Sequence, residues 1–372
     1  MHVGFTTMNT PDDVRPDVLA GELEQRGFES LWIGEHSHIP VSRRTPYPAG
    51  GEMPHHYRRM MDPFVSLAIA AHATTTLRLV TGVCLVLEHH VLDLAKTVAT
   101  LDVLSGGRLL VGVGVGWNEE ELANHRPDIA WRHRYRATEE CIGALRACWT
   151  DEAAEYHGEF FAFDPIWIEP KPVQRPHPPV IFGGAGPLGV EHALRWADEW
   201  APMDIALGNV ARKVARVSDA AAAAGRELPI TLVVWGDPTP ATLRHYRDPR
   251  RPSHRARGRT RPVGGPGLGH ALPRPLHRAR PRARRTARTR EPVGLPALVV
   301  GRQGGRADVG VEPGADRLAV VPRLADALDD LVGAHPRRLR PLPHRRQPLA
   351  AQQPDPRAVL GEAAGRGLQL TM

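Results

Sequence analysis

Leu104-Ser105-Gly106-Gly107-Arg108-Leu109-Leu110-Val111-Gly112-Val113-Gly114-Val115-Gly116-Trp117-Asn118-Glu119-Glu120-Glu121 is the stretch of this chain that decides its fold. The glycine pair after Ser105 ends a helix, because glycine enters the left-handed conformation without a Cβ penalty. Val111, Val113 and Val115 then alternate with glycines, so one face of a strand carries bulk and the other admits a close neighbour. The strand runs out into a polar, acid-rich loop. Helix, tight turn, strand and a polar loop at the strand's carboxyl end form the unit by which a (β/α) barrel presents its chemistry.

Similar units lie on both sides. His2 to Thr6 reads as a first strand, followed by a helix over 16–26 closed by Gly27. Leu31-Trp32-Ile33-Gly34 is a second strand that delivers Glu35 and His36 at its tip. Residues 40–60 form a long loop with four prolines, the length of a functional loop. A helix over 62–74, a third strand over 77–86 containing Gly82, and a helix over 92–104 lead into the deciding stretch. Beyond it come a helix over 137–149, a small hairpin near Tyr156, and a fifth strand at Val180-Ile181-Phe182 running into Gly183 and Gly184. A weak sixth strand at 201–203, an alanine-rich helix over 210–224 and a seventh strand over 230–235 follow. Strict alternation of strand and helix predicts a parallel α/β fold, the (β/α)8 TIM barrel. Seven strands precede residue 248 and a barrel needs eight, so strand 8 reads as missing or replaced by an aberrant tail.

The charge divides the chain at the same point. Residues 249–372 hold 25 arginines, no lysine and nine acids, a net +16, which leaves the preceding residues at −9 within a total of +7. This segment has no Ile, Phe, Tyr, Trp, Asn or Cys, although 324–331 has a helical pattern. The reading is a barrel domain over 1–248 and an Arg/Pro/Gly-rich tail over 249–372. Such a tail is disordered, or is GC-rich coding DNA translated out of frame. Pro249-Arg250-Arg251 shifted by one base permits Leu-Gly-Val, a turn suited to enter a last strand after a helix over 239–248. A nucleic-acid arm is the functional alternative for the tail; the acidic body argues against a nucleic-acid partner. No segment reads as membrane-spanning and no targeting signal stands out, so a cytoplasmic protein is expected. Cys141 and Cys148, seven apart on one helix face, are expected to be buried thiols.

Five pieces carry a resemblance: Trp32-Ile33-Gly34-Glu35-His36, Val80-Thr81-Gly82-Val83, the 104–121 stretch, Pro170-Lys171-Pro172-Val173-Gln174, and Pro178-Pro179-Val180-Ile181-Phe182-Gly183-Gly184. In this order and spacing they resemble the luciferase-like family of flavin and deazaflavin oxidoreductases, most closely its F420-dependent branch, over about residues 2–248. The resemblance implies coenzyme F420 (alternatively FMN), a small-molecule substrate and a homodimer. It implies that His36 is a proton donor or ring partner, with Glu35 orienting it or serving as an ordinary ion-pair partner. Thr81, Gly82 and Val83 would form a non-proline cis bulge against the cofactor ring, which Trp117 and Asn118 would flank. Gly183, Gly184 and Ala185 would bind the cofactor phosphate, as exposed N–H groups at a helix start do. The sugar-phosphate dehydrogenase branch carries an acid where Trp117 stands, which disfavours that substrate. The adjacent histidine pairs have no common zinc spacing, so no metal is expected. The function implied is F420-dependent hydride transfer; the alternatives are an FMN-dependent monooxygenase and a non-catalytic product with a nucleic-acid-binding tail.

Overall fold

In the computed structural model, which describes residues 2–234 and 297–301, the glycine pair behaves as its chemistry requires. Helix α3 (Val91–Ser105) stops at Gly106, whose φ of 67° is left-handed, and the Gly106 and Gly107 N–H groups donate back to Val103 and Asp102 carbonyls. Strand β4 (Leu109–Val113) follows directly. The same alternation organises what precedes it: β1 (His2–Thr7), α1 (Pro16–Gln25), β2 (Ser30–Ile33), α2 (Pro63–Ala73) and β3 (Arg78–Thr81). Helix α2 starts where Asp62 accepts the Val65 N–H and Pro63 supplies a preset φ at the first turn.

Beyond β4 come α4 (Glu119–His125), α5 (Arg134–Thr150) and an antiparallel hairpin of β5 (Ala154–His157) and β6 (Ala162–Ile166). Then follow β7 (Val180–Phe182), α6 (Pro187–Trp196), β8 (Glu199–Trp200), α7 (Val210–Ala223) and β9 (Thr231–Val233). Strand six therefore stands two residues earlier than its sequence signal. The acid-rich run after β4 is a helix and not a loop. The 170–179 connection is pinned under the barrel, because buried Asp102 accepts the N–H groups of Val173 and Gln174.

The eighth place in the barrel is filled from the segment read as a tail. Strand β10 (Ala297–Gly301) pairs in parallel with β1 on one side and β9 on the other, Val299 standing beside Gly4 and Val233. The sheet runs β8-β7-β4-β3-β2-β1-β10-β9, and parallel bridges from Trp200 to Ile230 and from Met203 to Val233 join its two ends. Strand 8 is thus replaced, not missing, and residue 248 does not mark the end of the barrel's contributions. Ala-Leu-Val-Val-Gly is an uncharged run with two β-branched residues, which suits a strand paired on both edges. The helices expected over 239–248 and 324–331 lie outside the described residues.

Trp32, Val80, Leu110, Ile181, Ala201 and Val299 fill the barrel interior, and a larger apolar layer packs between strands and helices. Cys141 and Cys148 are buried free thiols in that layer. A cavity of about 240 Å³ lies at the strands' amino ends, lined by Ser30, Arg78 and Thr231, on the side away from the polar loops. No helix among the described residues is long and apolar enough to cross a membrane.

Candidate active site

The carboxyl ends of β2, β3, β4 and β7 form one continuous arc. After β3 the chain bulges, and the Gly82–Val83 peptide is cis. The bulge is built into its neighbours. A Cβ on Gly112 would meet the Thr81 carbonyl oxygen at 1.9 Å, one on Gly114 the Val83 side chain at 2.4 Å, and one on Gly183 the Val83 side chain at 3.1 Å. The alternate glycines of the deciding stretch therefore serve close approach of the bulge. The structure brings Thr81, Gly82, Val83 and Gly183 together at this end of the barrel.

Glu35 and His36 are consecutive at the end of β2 and turn to opposite sides, as extended backbone dictates. His36 meets Glu121 from α4: Nδ1 stands 2.7 Å from Glu121 Oε2, and the Trp117 indole N–H donates to Nε2 at 3.0 Å. An indole N–H donates only, so Nε2 is the acceptor and Nδ1–H the donor to Glu121. The imidazole is held in one tautomer, with its side chain only 7% exposed. Tyr57 and Trp117 pack against it at ring distances of 5.6 and 5.5 Å, and the Tyr47 and Tyr57 hydroxyls meet at 3.1 Å. Burial raises the Tyr57 phenol above its ordinary value.

Glu35 does not orient His36. Its carboxylate accepts the Leu85 N–H and pairs with His89 Nε2, both at 2.7 Å. Burial works against the Glu35 charge, yet the His89 and Leu85 hydrogen bonds outweigh it and lower its pKa, while Glu35 raises that of His89 against the same burial. Cys84 completes a cluster whose ligand atoms lie within 4.8 Å of one another. Burial and the Glu35 charge hold the Cys84 thiol protonated, well above its ordinary pKa, so the group is a closed ion pair beside a thiol.

Helix α4 hands its three glutamates to three surroundings. Glu119 is exposed. Glu120 gathers the loop after β2, accepting Ser42 Oγ at 2.9 Å and the Arg44 N–H at 2.8 Å, as well as the Thr45 hydroxyl. The Thr45 hydroxyl, against a modest cost of burial, holds the Glu120 carboxyl at about 2. Glu121 takes His36. Behind it stands Glu88, whose side chain is 4% exposed and whose pKa is raised by burial and by the Glu121 and Glu35 charges. Neither Glu121 nor Glu88 had a sequence signal pointing to His36, since the partners come from three separate loops.

At the far end of the arc, Gly184 approaches α6 so closely that a Cβ would lie 3.0 Å from the Gly189 Cα. Helix α6 begins at Gly186 with no side-chain cap, so its first amides are left for an outside acceptor. Ala185 lies in the same turn, partly buried. Asn118 heads α4 beside Trp117, and both its amide oxygen and its amide nitrogen are buried without a partner. A group with adjacent donors and acceptors, such as the pyrimidine edge of a flavin or deazaflavin, meets that need.

The family model for luciferase-like monooxygenase matches residues 17–302, ending one residue past β10. The chain belongs to that family. Among its relatives, an uncharacterized protein of Mycobacterium tuberculosis is 40% identical over 67% of this chain and 88% of its own length. An FMNH2-dependent dimethylsulfone monooxygenase of Pseudomonas putida is 40% identical over 28% of this chain and 29% of its own. The F420-dependent hydroxymycolic acid dehydrogenase of M. tuberculosis is 28% identical over 57% of this chain and 55% of its own. The solved monooxygenase RslO1 of Streptomyces bottropensis superposes with a TM-score of 0.53 at 26% identity, covering 64% of this chain and 71% of that one. Members of this oxidoreductase family thus include F420-dependent and flavin-dependent enzymes, and the luciferase-like barrel is the fold they share with this chain.

Proposed function

We propose that this luciferase-like protein is an F420-dependent oxidoreductase that moves a hydride between the deazaflavin and a small alcohol or the matching carbonyl compound. The observation that carries the reading is the Glu121–His36–Trp117 chain at the mouth of the barrel, which holds an imidazole in one protonation pattern beside an orphaned Asn118 amide. The deazaflavin supplies the hydride chemistry when bound. The 183–186 turn and the uncapped start of α6 would take its phosphate, and Asn118 its polar ring edge. Val83, on the bulge, offers an apolar surface against which a planar ring would rest.

Glu121 orients the imidazole and compensates charge on it. His36 Nε2 is the atom that exchanges a proton with the substrate oxygen, once the Trp117 indole turns away from it. The loop over 40–60 is tied down by Glu120 and would limit the access of water to the site. A flavin monooxygenase on the same barrel is the second reading, favoured by the relative that uses FMNH2.

Equilibrium titration of the purified chain with F420 and with FMN, followed by quenching of cofactor and tryptophan fluorescence, tests the proposal. Saturable binding of F420 at least tenfold tighter than that of FMN is expected. FMN binding with no response to F420 would overturn it in favour of the second reading.

A further inference from the structure

His36 and Glu121 stand at the inner end of a line of proton-bearing groups that continues to the outer surface of α4. Glu121 Oε1 is buried and receives no hydrogen bond from any ordinary donor. The Glu88 carboxyl lies beside it, and burial together with the Glu121 and Glu35 charges raises the Glu88 pKa, which favours a proton on that group. A proton on Glu88 would supply the donor that Glu121 Oε1 lacks. On its other side Glu88 Oε2 lies 3.5 Å from Ser37 Oγ and 3.8 Å from His125 Nε2, while Ser37 Oγ and His125 Nε2 are 2.7 Å apart. His125 is exposed, and it shares with Glu88, His89, Arg126 and Phe160 the lining of a cavity of about 360 Å³. Glu35 and Cys84 also stand around Glu88 and are engaged with His89, and His38 Nδ1 lies 2.9 Å from Ser37 Oγ with its ring beside His125.

We propose that Glu121, Glu88, Ser37 and His125 form a proton relay between His36 and this second cavity, so that protons reach the active site from behind it while the substrate mouth stays closed. The proposal rests on the oxidoreductase reading above. In the oxidative direction the substrate O–H bond breaks and its proton bonds to His36 Nε2, while the hydride and its electron pair go to the deazaflavin. The Nδ1 proton passes to Glu121, Glu88 releases its own through Ser37 to His125 and the cavity water, Glu121 hands its proton on to Glu88, and a flip of the imidazole ring returns the N–H to the Glu121 side. Reduction runs the same path inward. Glu88 and Ser37 touch neither substrate nor cofactor; they act through His36.

Two measurements on the full chain test this. Carboxyl ¹³C NMR of glutamate-labelled protein follows Glu88 without any cofactor. A protonated Glu88 at pH 7 is expected, with a midpoint that falls toward the ordinary carboxylate range in Glu121→Gln. An ionised Glu88 at pH 7 overturns the relay. The second measurement is the pH profile and solvent deuterium isotope effect of F420 turnover in Glu88→Gln and Ser37→Ala. Glu88→Gln keeps the shape but releases no proton, so kcat is expected to fall at least tenfold with a larger isotope effect, and F420 affinity to stay within twofold. Ser37→Ala, a small change at the exposed end, is expected to lower kcat in the same sense. Wild-type profiles in both variants overturn the relay. A wild-type chain that turns over no F420 overturns the catalytic reading instead, and the NMR result still decides whether the glutamates share a proton.

Discussion

Val299→Asp is expected to lower the thermal midpoint by roughly 8–16 °C, the shift that corresponds to a loss of about 4 kcal/mol in a chain of this size. Val299 is 1% exposed and packs inside the barrel among Trp32, Val80, Leu110 and Ile181. A carboxylate there is taken out of water among Trp32, Val80, Leu110 and Ile181, so it ionises at high cost or takes up a proton and still loses its hydration. Total domain stability is about 5–15 kcal/mol, and such a loss is a large share of it. Val299→Ala removes only two methyl groups and is expected to cost about 2 kcal/mol. The graded pair is the point of the experiment. If 297–301 were outside the barrel, both variants would melt with the wild type in a thermal scan, and the barrel would have to close by another segment.

His36→Ala is expected to lower kcat about 10²- to 10⁴-fold, the range over which a positioned proton-transfer group acts. The substitution leaves Glu121 Oε2 and the Trp117 indole N–H without the partner they share. Each buried group left unsatisfied costs about 1–3 kcal/mol, so stability falls as well and must be followed in parallel. The diagnostic is the split between constants. A proton-transfer group acts in the transition state, so kcat and kcat/KM fall together while F420 affinity barely changes. A rise in KM with kcat intact would mean that the imidazole only helps to bind.

Much of this was legible in the sequence because it depends on local chemistry. The glycine pair at 106–107 had to end a helix, and the Gly112 and Gly114 positions had to admit a neighbour; that neighbour is the Thr81–Val83 bulge. His36 stood at a strand tip with few other places to point. What pairs with it was not legible, because Glu121 is 85 residues away and sits in a run of three glutamates that composition cannot tell apart. Only the helical turn of α4 sends one to the loop, one to His36 and one to solvent. Glu88 follows Val86 and Leu87 and has no local signal of its own; its setting comes from the neighbouring Glu121 and Ser37. Strand β10 was hidden for another reason. Five uncharged residues in an arginine- and proline-rich background carry little signal by themselves, and their fitness as a strand comes from the two open edges at β1 and β9.

Hydride transfer to or from a deazaflavin without oxygen is open to test by anaerobic turnover. Purified protein, F420 and a panel of small alcohols and carbonyl compounds would be mixed under argon, and the cofactor absorbance followed. F420 is expected to be reduced or oxidised catalytically by at least one member of the panel, with the rate falling about 10²- to 10⁴-fold in His36→Ala. Turnover that appears only with reduced FMN and consumes oxygen in step with substrate would contradict it.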